Sequence, residues 1–116
     1  VSLVQTVPAI GQQVTSGANA AGVITLPAVA GRTYVLKMLL ASYSLGSGVP
    51  SAAAPGRVTV ADGATTILEF DITGPGSQLP ALPDGGISGT TGNAMTITLA
   101  AGGTASVGRL SIAYTI

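Results

Sequence analysis

Apolar and polar residues alternate along much of this chain with a period of two, the pattern of strands that bury one face. Its clearest stretch is Arg57 to Ile72, RVTVADGATTILEFDI, two alternating runs joined at Asp62-Gly63. Val58 and Val60 share a face of the first run. Leu68, Phe70 and Ile72 share a face of the second, with Thr59, Glu69 and Asp71 opposite. A two-residue loop at Asp62-Gly63 would turn the valines toward the Glu69 and Asp71 face. A three-residue loop, Ala61-Asp62-Gly63 with Gly63 left-handed in a bulge, sets Val60 opposite Ala64 and Val58 opposite Thr66 and turns every even-numbered apolar residue inward.

Carried along the chain, the same pattern predicts eight strands at 2–7, 22–27, 33–44, 57–61, 64–72, 86–90, 93–100 and 107–115. The first lies in an extended N-terminal segment, residues 1–8, that ends at Pro8, and residues 11–22 follow as a polar, Gly-rich stretch with no strand pattern. Segment 33–44 is apolar on both faces. Tyr34, Leu36, Met38 and Leu40 have one parity, and Val35, Leu39, Ala41 and Tyr43 the other, broken by Lys37. It reads as a central strand covered on both sides or one with a side against another subunit; helix is the rival reading, because Leu, Lys, Met and Ala are good helix formers. Residues 45–56 and 73–86 read as long Pro- and Gly-containing loops.

The order of these strands predicts an all-β, single-domain antiparallel β-sandwich spanning 1–116, with a jelly roll preferred over a plain Greek key. In the jelly roll the fourth strand pairs with the fifth, the third with the sixth, the second with the seventh and the first with the eighth. In the alternative, 93–100 and 107–115 pair directly as a hairpin.

Composition narrows the chemistry. The 116 residues contain no Cys and no His, which removes disulfides, thiol chemistry and the commonest acid/base and metal-binding side chain. Charged residues make up 7% of the chain against about 25% in an average soluble domain. The formal net charge is zero, so there is no basic footprint for nucleic acid. No apolar run reaches the length of a membrane-spanning helix, and no signal-peptide pattern opens the chain, whose start at Val1 fits removal of an initiator Met or of a larger leader. With mean hydropathy of +0.61, so few charges leave a free surface poorly protected from association.

Candidate sites are few. Glu69 and Asp71 stand two apart on one strand face, where paired carboxylates can work as acid and base or hold a cation, and the plain alternative is a solvated strand face. Asp62 and Asp84 each precede glycine in a loop but lack the repeated acidic spacing of a calcium loop, so turn chemistry is the expectation. A Ser–Lys pair on Lys37 has nothing to complete it. No catalytic residue, cofactor site or metal site is predicted, and the chain reads as non-enzymatic. Tyr43, at the end of the long strand, is the one nominee for an aromatic sugar platform. Its plain alternative is a tyrosine at a sandwich edge.

The hairpin GRVTVADGATTILEFDI and the closing GNAMTITLAAGGTASVGRLSIAY resemble small virion proteins of tailed bacteriophages, in particular the decoration or cement proteins of capsids. The resemblance implies a jelly-roll-like protein, located on the outer capsid surface, that bridges neighbouring major capsid subunits and associates with itself as a dimer or trimer, with no membrane partner and no cofactor. It transfers no residue-level site. The residues expected at protein interfaces are Leu3, Val4 and Val7 of the N-terminal segment, Leu45 and Val49 of the first long loop, and Leu79 and Leu82 of the second. A carbohydrate- or receptor-binding module and a fibre or tail component are the alternatives.

Overall fold

The alternating pattern becomes nine strands and no helix among the residues that the structure, a computed structural model, describes: 9–17, 19–45, 56–72, 76–78, 80, 82–83, 85–103 and 106–116. They are β1 (Ile10–Thr15), β2 (Gly22–Leu26), β3 (Val35–Leu45), β4 (Gly56–Asp62), β5 (Thr65–Ile72), β6 (Gly76–Gln78), β7 (Ile87–Ser88), β8 (Met95–Leu99) and β9 (Ser106–Thr115). One sheet runs β1-β9-β3, with β6 and β7 sharing the far edge of β3; the other runs β2-β8-β4-β5. Every pairing is antiparallel, and the two sheets form a β-sandwich.

Periodicity explains the core. In β8, Met95, Ile97 and Leu99 are buried while Thr96 and Thr98 are half-buried on the other side, and β2 and β4 alternate in step. Leu36, Leu39, Ala41, Leu110 and Ile112 close the core from the opposite sheet. Segment 33–44 is a strand, not a helix, and its two apolar parities have a simple cause. A bulge at Lys37 shifts the register between Leu36 and Met38, so the inward row changes parity there. Leu36 points inward before the bulge and Leu39, Ala41 and Tyr43 after it, which leaves Met38 and Leu40 on the outer face. One face of β3 is buried in the monomer, so cover on both sides is not required.

The β4–β5 hairpin also departs from expectation. Its inward pairs are Val60 with Leu68, Val58 with Phe70 and Gly56 with Ile72, in place of the expected Val60 with Ala64 and Val58 with Thr66. The loop is the two-residue Gly63-Ala64, with Gly63 at φ 60°, and the parity conflict is resolved by a bulge at Ile67 further along β5. Ile67 and Leu68 can then both pack on the core.

The pairs expected between 57–61 and 64–72, between 22–27 and 93–100, and between 33–44 and 86–90 are present as β4–β5, β2–β8 and β3–β7. Strand β8 does not pair with β9. The partner of β9 on its outer side is β1, inside the stretch expected to be patternless, while the predicted strand 2–7 lies outside the described residues. Strand β6, within the expected loop 73–86, pairs with Ala41–Tyr43.

Candidate interaction surface

The carboxylates resolve first, because a chain with no histidine or cysteine has them as its main candidates for acid/base work. Asp71 lies directly across from Arg57, whose Nε and Nη2 donate to its two carboxylate oxygens at 2.8 and 3.3 Å. That hydrogen bond holds the Asp71 carboxyl below the usual carboxylate range and raises the guanidinium. Glu69 faces Thr59 across the ladder, so Glu69 and Asp71 form the solvated strand face and not a coupled pair. Asp62 accepts from the Thr90 hydroxyl at 2.7 Å and the Thr90 backbone N–H at 3.0 Å, and these bonds lower its carboxyl. Its role is to tie the hairpin turn to the loop before β8. Among the described residues no group of acidic side chains could hold a metal ion. Asp84 lies outside them.

Tyr43 is not a sugar platform. It points inward from β3, is 1% exposed, and donates its hydroxyl to the Ala100 carbonyl at 2.5 Å. The ring runs between Gly56 and Gly102; a Cβ on Gly102 would lie 2.6 Å from Tyr43 Cδ1, so both neighbours must lack a side chain. Burial raises its pKa. The expectation of an exposed ring fails because the bulge at Lys37 brings Tyr43 onto the core row.

Of the expected interface residues, Leu3, Val4, Val7, Val49 and Leu79 lie outside the described residues, as does the side chain of Leu45. Leu82 is half-buried and packs against the core. It also lines an open cleft of 520 Å³ with Lys37, Met38, Pro80 and Pro83, where Lys37 Nζ donates to the Gly85 carbonyl at 2.7 Å. Lys37, at the bulge, and Met38, after it, both face outward beside this cleft.

What the sequence pattern did not bring out is the outer face of the β1-β9-β3 sheet. Register aligns it in rows: Gly11, Ala113 and Met38; Gln13, Ser111 and Leu40; Thr15, Arg109 and Ser42. Arg109 is the single charged side chain in these rows, and its guanidinium is engaged by the Ser44 hydroxyl. Met38 is 39% exposed and Leu40 half-buried. Gly11, Ala113, Ser111 and Ser42 are the small residues of these rows. A shallow hollow of 390 Å³ lies along Gly11, Gln12, Gln13, Ser111 and Ile112 beside the edge of β1 that pairs with no strand among the described residues. Such a surface offers apolar and neutral polar contact area and no reactive group.

Comparison with known protein families, curated proteins and solved structures finds no match for this chain.

Proposed function

We propose that this chain is a non-enzymatic structural protein of a virion, one that binds the outer surface of a tailed-phage capsid, bridges neighbouring major capsid subunits and associates with itself. The observation that carries this reading is the outer face of the β1-β9-β3 sheet, where Met38 and Leu40 lie among Gly, Ala, Ser and Thr with no acidic side chain, Arg109 being the one charge in the aligned rows and Lys37 standing at the bulge beside them. A face with so few charges adds little orientation by charge, so its affinity comes from area and from repetition across many equivalent sites. The strand pairings support reading the sandwich as a jelly roll, and the likeness of the two quoted segments to decoration proteins points the same way.

The mechanism is linkage. A protein that binds the assembled shell and not its free subunits shifts the equilibrium away from disassembly by an amount set by its occupancy. Purified protein added to capsid shells lacking it should co-sediment to saturation at a fixed ratio to the major capsid protein, and should raise the temperature at which those shells release their contents. Failure to co-sediment at protein concentrations up to solubility overturns the proposal. Burial of Tyr43 removes the ring on which the carbohydrate-binding alternative rested.

A further inference from the structure

We infer that two copies of this chain pair their β1 edges antiparallel, with Gln12 opposite Gln12 of the second copy, so that the β1-β9-β3 sheets of both become one continuous sheet. This deepens the self-association part of the functional reading and rests on that part alone.

The four sheet edges are protected unequally. The β5 edge bears Glu69 and Asp71 and is bent by the bulge at Ile67, so pairing with its own copy would set like charges together. Strand β2 has five residues and runs into Pro27, and β6 and β7 have three and two. Strand β1 has six residues in unbroken register with β9, contains neither charge nor proline, and has no strand on its other side among the described residues. No charged residue precedes Arg32 anywhere in the chain. Backbone donors and acceptors on such an edge are a template for another strand. A neutral edge meets its own copy without like-charge repulsion.

Parity selects the register. A two-fold axis perpendicular to the sheet keeps inward faces together, so opposed residues must both be even or both odd. Centring on Gln12 sets Ile10 against Val14 of the second copy on the inward side and Gly11 against Gln13 on the outer side. Ile10 is 47% exposed in the monomer and gains an apolar partner. Centring on Gln13 would instead place Ile10 beyond the end of the partner strand, opposite Ser16. The Gln12 register also turns the outer faces of both β1-β9-β3 sheets to the same side, doubling the area presented to a shell.

Because the chain has no cysteine, a single Gln12→Cys substitution gives one thiol per copy. Directly opposed Cα atoms in an antiparallel pair lie within disulfide range, so mild oxidation should form covalent Q12C dimers about tenfold or more faster than Q13C or, on the β5 edge, T66C. Separately, light scattering on the full chain should show that Gln12→Lys and Gln12→Glu each lower the dimer population, and that mixing the two restores it. Melting curves establish that each variant is folded. Crosslinking of Q12C no faster than T66C, or association that survives both charged variants, overturns the pairing. So does a monomer at every concentration. Shell binding by a protein that stays monomeric would overturn the pairing and leave the virion role standing.

Discussion

Inside, the two sheets are alike; outside, they are not. Each contributes a row of Leu, Ile and Val at two-residue spacing to one core, and Tyr43 links them by reaching from β3 to the Ala100 carbonyl. On the outer face of the β2-β8-β4-β5 sheet, Thr25, Thr96, Thr98 and Thr59 stand beside an exposed Val23 and lead to an edge held by Arg57, Glu69 and Asp71. The β1-β9-β3 face has only Arg109 in its aligned rows and carries Met38 and Leu40 on β3, next to the exposed Lys37. A sheet that needed only solubility would be finished like the first. The second carries more apolar and less charged area, and the proposed shell-binding role rests on that contrast.

Substitutions that test the shared interior should have the largest effects. Leu110→Ala and Ile97→Ala remove fully buried side chains from opposite sheets, and each should cost about 2–5 kcal/mol in denaturant unfolding. A large gap between them would break the equivalence of the inner faces. Gly102→Ala drives a methyl into the Tyr43 ring and should cost about 1–3 kcal/mol. Tyr43→Phe keeps the ring and leaves the Ala100 carbonyl without its donor, a loss of about 1 kcal/mol that would sharpen the role of Tyr43 as the link between sheets.

Acid should act weakly and on one side of the molecule. Asp71 and Asp62 both have folded carboxyl values below their ordinary ones, so their stabilising contribution is present above the unfolded value, near about pH 4, and is lost as pH falls through the folded values. Without histidine, melting temperature should stay nearly flat between about pH 5 and 8 and decline below about pH 4. Asp71→Asn should blunt part of that decline. Because both carboxyls are exposed, the change should be the smallest of this series.

Strands with a buried face were readable from the alternation of residues such as Met95, Ile97 and Leu99, because burial imposes a period of two that backbone pairing alone does not. Strand β1 escaped notice for that reason: Gly11, Gln12 and Gln13 are exposed, and the strand exists through its ladder with β9. The bulges at Lys37 and Ile67 were equally hidden, since one extra residue inverts parity without a composition signal. The Lys37 bulge had the larger consequence, making a two-faced apolar run into an inner row and an outer row and moving Tyr43 into the core. The low charge of the chain was visible from the start. That the described acidic side chains, Asp62, Glu69 and Asp71, all lie on the β2-β8-β4-β5 sheet became visible only when register aligned the strands.

The claim that this face meets the shell is tested most directly by one matched pair of substitutions, read by co-sedimentation with capsid shells lacking the protein. Ser111 and Thr98 are both half-buried, outward-facing and central in their sheets, Ser111 between Gln13 and Leu40, Thr98 between Val23 and Thr59. Ser111→Lys should reduce shell binding at least about tenfold by desolvating a charge at the contact, while Thr98→Lys leaves binding unchanged and both proteins melt near the parent temperature. Binding that survives Ser111→Lys and is lost with Thr98→Lys would contradict the assignment of the functional surface to the β1-β9-β3 sheet.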